Sequence, residues 1–146
     1  MIPLCLNEGV GLVPWSPLAR GLLARTRPAS AKIVDAGTAR AGNDKYTEQL
    51  YDSPDDWNVV DAVEKVAKAR GVSMSEVALA WLMSRPGVAA PIIGATKIEH
   101  LETAIKAVGL NLSDDECVSL ETPYRPHGVR GYAFPEPTRA GVPKRG

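Results

Sequence analysis

The sequence is short of the residues that most often declare a function. It holds two cysteines, Cys5 and Cys117, and two histidines, His100 and His127, among 146 residues. The cysteines form no CxxC and have no histidine at zinc spacing. That argues against the common metal and redox motifs and leaves two small packing residues of a reducing compartment. Neither histidine lies in an HExxH frame. No GxSxG elbow surrounds Ser16, so a triad of Ser16, His127 and an aspartate lacks its usual geometry. Acidic and basic residues balance at 17 each, and a chain without a net field offers no handle for nucleic acid or a membrane surface. No apolar run approaches the roughly 20 residues of a membrane span, and the first residues lack the basic start of a signal peptide. The absences together predict a soluble, cytoplasmic chain with enough length for one core.

What is present is organised around residues 90–100, Ala-Pro-Ile-Ile-Gly-Ala-Thr-Lys-Ile-Glu-His. Residues 90–93 have the short apolar pattern of a strand buried on both faces. Gly94 and Ala95 make a small-residue turn, and Thr96 with Glu99 three residues later reads as a helix N-cap and capping box. Such a corner directs backbone N–H groups and the positive end of a helix dipole at one point, which suits a phosphate. Lys97 would add to the attraction. The same residues also suit an ordinary strand-to-helix corner with no ligand.

Taken in order, residues 1–8 read as the last turns of a helix stopped by Gly9, with the look of a chain cut from something longer. Residues 10–15 are the next strand candidate, with Pro14 at its end. Residues 16–21 form a loop at the strand end, where ligands of α/β folds bind. Trp15 and Arg20 there could equally be a packed core ring and a solvated charge. Residues 22–52 show no sustained period and read as a long basic loop. Ser53, Pro54 and two acids open a helix with Val59, Val60, Val63, Val66 and Ala67 on one face, ending at Gly71. Ser73 and Glu76 open a second, containing Trp81 and stopped by Pro86-Gly87. The helix from Thr96 to about Val108 carries the stripe Leu101, Ala104, Ile105 and Val108. Ser113 opens a last helix that ends before Pro123. Residues 121–135 are extended and aromatic. Residues 136–146 have little to bury and read as a disordered tail, which leaves residues 1–135 as the domain.

Three of these segments, Pro14-Trp15-Ser16-Pro17-Leu18-Ala19-Arg20-Gly21, Val77-Ala78-Leu79-Ala80-Trp81-Leu82 and Pro91-Ile92-Ile93-Gly94-Ala95-Thr96, resemble in order and spacing the C-terminal part of the aldo-keto reductases. Residues 120–127 resemble the bacterial subgroup annotated with 1-deoxyxylulose-5-phosphate synthase-like reductases. The resemblance implies an α/β fold, the C-terminal portion of a (β/α)8 TIM barrel, with residues 10–14 as strand seven and 90–93 as strand eight. It implies NADP(H) as cofactor and a small aldehyde or ketone as substrate. In that frame Trp15 stacks on the nicotinamide, Ser16 and Leu18 meet the pyrophosphate, and Arg20 lies nearby. Gly94, Ala95, Thr96 and Lys97 form the loop at the adenosine 2′-phosphate, and His100 faces the adenine. Thr103 and Ala104 stand where the family often carries Glu and Asn. The family's catalytic Asp, Tyr, Lys and His match no position here, and Tyr46, Tyr51, Tyr124 and Tyr132 all fall after the first motif. A complete barrel takes roughly 250 residues, so the resemblance implies the cofactor-holding half of such an enzyme, inactive alone. The alternative is a non-catalytic fragment that at most binds NADP(H) or a partner chain.

Overall fold

The computed structural model describes residues 1–28, 50–51 and 53–128. The expectations for most of the basic loop and for the tail beyond Gly128 fall outside them, as do Tyr46 and Tyr132. The described chain is a short parallel strand pair beside five α-helices: α1 (Ile2–Asn7), α2 (Pro54–Arg70), α3 (Met74–Met83), α4 (Ile98–Val108) and α5 (Asp114–Glu121), with a 3-10 segment at Ala19–Ala24.

Serine caps set the starts of α2, α3 and α5. Each of Ser53, Ser73 and Ser113 accepts from the first turn and receives a carboxylate in return, Asp56, Glu76 or Glu116. These reciprocal bonds satisfy N–H groups that a helix start otherwise leaves unpaired. Gly9 (φ 67°) and Gly71 (φ 65°) take the left-handed conformation after α1 and α2. In each case the next residue bonds back across the turn, Val10 N–H to the Cys5 carbonyl at 2.8 Å and Val72 N–H to that of Ala67 at 3.1 Å, a Schellman closure.

The core lies among the helices. Trp57, Val60, Val63, Val66 and Ala67 of α2 meet Met74 and Val77 of α3, Leu120 of α5 and Leu22 of the 3-10 segment. Burying each large aliphatic side chain contributes about 1.5–3 kcal/mol. Two members correct the sequence reading. Leu22 belongs to the stretch read as unpatterned loop, yet it is 3% exposed. The one face assigned to α2 omitted Trp57. α3 is central, packing on α2, α4 and the 3-10 segment.

The strand pair runs parallel as expected, but thinly. Leu12 donates to the Gly87 carbonyl at 2.7 Å and accepts from Ala89 at 2.8 Å; further on, Ile92 donates to the Pro14 carbonyl at 2.8 Å. Leu12 faces Val88 and Trp15 faces Ile92, so the second segment carries one extra residue between the two bridges, a bulge. Pro14 and Pro91 lack ladder donors. Bulge and prolines together explain why only isolated bridges form where two strands were expected. Full burial of residues 90–93 is also overturned: Ile92 is 55% exposed, since no further segment among the described residues pairs with the outer edges. The α4 stripe is likewise open. Leu101, Ile105 and Val108 are exposed and line an apolar cleft of about 320 Å³ with Leu79, Met83 and Ile93.

α5 is tied to α2 by a fork: Arg70 Nε and Nη2 each donate to Glu116 at 2.6 Å. These bonds, with that from the Ser113 N–H, hold the Glu116 carboxyl down at about 2, against an ordinary 4.5. A carboxyl depressed on folding stabilises the fold fully above about pH 4.5, and that contribution disappears as pH falls toward 2. Acid titration of the native chain by circular dichroism should show stability falling across that window. Glu116→Gln should flatten the fall, and an unchanged acid profile would remove the Arg70 fork as its cause.

Candidate functional site

Both segments of the parallel pair run out at the same end, and each releases a loop there. From the first come Trp15, Ser16, Leu18 and Arg20; from the second come Gly94, Ala95, Thr96 and Lys97. The Trp15–Ile92 pairing sets the two loop origins side by side. In open α/β sheets, ligands bind outside the carboxyl ends of the strands.

Trp15 is 68% exposed. Among the described residues nothing covers it, and an indole face is open at the strand end. Behind it the backbone is strained. Ser16 (φ 53°), Ala19 (φ 48°) and Arg20 (φ 56°) are all left-handed without being glycine, and Gly21 follows at 92°. A non-glycine left-handed residue costs on the order of 1–3 kcal/mol and persists where surroundings over-determine it, characteristically at ligand sites. Carbonyl acceptors at Ser16 and Leu18 hold the turn, receiving Ala19 N–H at 2.9 Å and Gly21 N–H at 2.8 Å. Arg25 Nε closes it on the Gly21 carbonyl at 2.9 Å, and partial burial lowers the pKa of that guanidinium. Sequence reading placed a plain loop over residues 16–21. Only Gly21 carried a signal for the left-handed run, and no signal marked Arg25 as its clasp.

The second loop corrects the expected cap. α4 starts at Ile98, its N-cap is Lys97, and no side chain bonds into its first turn. The Thr96–Glu99 capping box is absent because the helix begins one residue later than that spacing requires. α2, α3 and α5 all start in serine boxes, whereas no side chain caps the start of α4. Gly94, Ala95, Thr96, Lys97 and His100 are all exposed, and nothing lies within 4 Å of where a Cβ on Gly94 would sit. Thr103 is half-buried, and its hydroxyl donates to the Glu99 carbonyl at 2.7 Å. It faces its own helix as much as the loop.

The arrangement can hold an extended anionic ligand carrying a flat ring: an open indole at one loop, uncapped helix N–H groups and Lys97 at the other. A 2′-phosphorylated dinucleotide fits that donor set. Among the described residues no cluster of three His, Cys, Asp or Glu could hold a metal, and no helix is long and apolar enough to cross a membrane.

The chain matches the Aldo/keto reductase family over residues 1–123. An aldo-keto reductase of Fusarium vanettenii is 42% identical over 91% of this chain and 34% of its own length. The versiconal hemiacetal acetate reductase of Aspergillus parasiticus is 37% identical over 88% of this chain and 36% of its own. Among solved structures, the thermostable aldo-keto reductase Tm1743, in complex with the inhibitor epalrestat, superposes with a TM-score of 0.54 at 27% identity, covering 84% of this chain and 32% of that one. The chain thus spans about a third of the length of the curated relatives it matches.

Proposed function

The chain belongs to the aldo/keto reductase family, whose members are oxidoreductases, and from that premise we propose that it is the NADP(H)-holding C-terminal part of a (β/α)8 carbonyl reductase. Residues 10–14 would be the seventh strand and 90–93 the eighth. The observation that carries the reading is the uncapped start of α4 beside Lys97, opening at the same strand end as the exposed indole of Trp15.

In this reading Trp15 stacks on the nicotinamide, the strained turn behind Ser16 and Leu18 receives the pyrophosphate with Arg20 close by, and residues 94–97 take the 2′-phosphate. His100 and Thr103 border the adenine. When bound, the cofactor supplies the hydride that reduces an aldehyde or ketone to an alcohol. This chain's residues bind and orient it; the proton for the carbonyl oxygen comes from a general acid matched by none of them. The setting is the cytoplasm, and the small carbonyl substrate is the partner, with no role for nucleic acid or membrane. The finer affiliation with the bacterial 1-deoxyxylulose-5-phosphate synthase-like subgroup is carried by residues 120–127 alone, and the relatives quoted above are fungal. A chain that binds NADP(H) or a partner without turnover is the second reading, favoured by the described tyrosines: Tyr51 packs against the core cluster and Tyr124 is exposed beyond α5.

Calorimetric titration tests the assignment. The chain should bind NADPH in preference to NADH. Lys97→Ala should weaken NADPH by about tenfold, the size of one lost charge-assisted phosphate contact, and leave NADH unchanged. Equal affinity for the two cofactors would sink the 2′-phosphate assignment.

A further inference from the structure

We infer that Arg85 is a positioning residue that fixes the register of the two strand segments, and with it the spacing between the loops at residues 15–20 and 94–97. The inference rests on the cofactor reading above. Arg85 begins the turn from α3 into the second segment. Its carbonyl accepts from Val88 N–H at 3.2 Å, with Pro86 second and left-handed Gly87 (φ 82°) third, the type II pattern. That turn delivers the Gly87 carbonyl and Ala89 N–H to the two sides of Leu12, the first pairing of the ladder. A Cβ on Gly87 would come within 2.8 Å of Leu6 Cδ2, so the turn packs against the α1 side chain.

The side chain of Arg85 reaches the other way. Nη1 donates to Glu121 Oε1 at 2.6 Å and Nη2 to Cys117 Sγ at 3.4 Å, both on α5. Nη2 also donates to Ser84 Oγ at 2.9 Å. The guanidinium lies 5.1 Å from the centroid of the Trp81 ring, and Trp81 Nε1 donates to the same Glu121 oxygen at 2.9 Å. A lone surface ion pair contributes little. Here a planar cation is held by a carboxylate, a thiol, a hydroxyl and an indole face at once, a geometry that lysine cannot reproduce. α5 is itself anchored to α2 through Arg70 and Glu116. The turn is therefore nailed to the helical core from outside the sheet. It needs to be, because the ladder is thin: two prolines and a bulge leave it few bonds, and weakly specified strands slip.

Slippage would change the distance between the loops without altering either loop. NADPH spans both; 2′,5′-ADP occupies the 94–97 side alone. Wild type, Arg85→Met and Glu121→Gln should be titrated with each ligand, and their melts followed by circular dichroism. Both variants should lose about fivefold in NADPH affinity, equivalent to about 1 kcal/mol, with 2′,5′-ADP affinity unchanged. Arg85→Lys should recover only part of the loss. Glu121→Gln keeps the side-chain shape and decides the matter if Arg85→Met does not fold. Equal losses for the two ligands, or no loss for NADPH, would overturn the positioning role. Failure of the wild-type chain to bind either ligand would instead overturn the cofactor reading on which it rests.

Discussion

Trp57→Ala is expected to leave the chain only marginally folded at ambient temperature, with a loss of about 3–5 kcal/mol, the usual cost of deleting a large buried aromatic ring. Trp57 is 2% exposed. It lies in the first turn of α2, within the cluster that joins α2, α3, α5 and Leu22. A small domain has roughly 5–15 kcal/mol in total, and among the described residues nothing covers the strand edges or the α4 stripe, which argues for the lower end. Urea denaturation followed by far-ultraviolet circular dichroism measures the loss, and Trp57→Phe should recover more than half of it. Trp15→Ala is the matched control. The ring it removes is 68% exposed, so the midpoint should stay put while NADPH affinity falls. Loss of the fold in Trp15→Ala together with a tolerated Trp57→Ala would invert the assignment of core and site.

The contrast between these two tryptophans shows what the sequence could tell. Each sits near the end or start of an element, and composition does not separate them. Trp15 is proposed as a ligand residue through the motif around it. The valine periodicity of α2 accounts for one apolar face without Trp57, so the pattern alone does not point to that ring. Local chemistry was legible where it is self-contained. The serine caps at Ser53, Ser73 and Ser113, and the glycine stops at Gly9 and Gly71, depend on a few neighbouring residues and form as expected. The cap at Thr96 met the same rule and failed, because nothing local decides whether a helix opens at Lys97 or one residue earlier. Long-range features were less legible still. The bulge follows from the alignment of residues 12–15 against 88–92, which no pattern within either segment reveals. The exposure of Ile92 and Ile105 reflects the neighbours a face finds. Apolar spacing identifies a face to be covered and says nothing of what covers it. No local pattern singles out Arg25 or Arg85; only the fold shows the carbonyl that Arg25 holds and the carboxylate and indole that Arg85 holds.

The 146-residue chain expressed alone is expected to bind NADPH and to leave it unoxidised in the presence of a broad aldehyde panel. Hydride arriving at a carbonyl carbon leaves negative charge on the oxygen, and a positioned general acid accelerates its protonation by about 10²–10⁴-fold. Orientation of the two reactants supplies a further large factor. This chain's described residues offer no acid in the needed place. Tyr51 packs against the core cluster, and Tyr124 is exposed beyond the end of α5. His127 Nδ1 lies 2.8 Å from the Gly128 carbonyl beside it. His100, in the first turns of α4, borders the adenine side of the proposed site, and the nicotinamide would lie at Trp15. Trp15 and residues 94–97 are also exposed, and contact with water weakens every electrostatic contribution at such a site. The measurement is the loss of NADPH absorbance against a protein-free blank, run beside a calorimetric titration that confirms binding. Binding with a rate at the blank supports a cofactor-holding chain without its own proton donor. Turnover clearly above the blank, abolished by Tyr124→Phe, would show instead that the tail beyond α5 folds back to supply the acid.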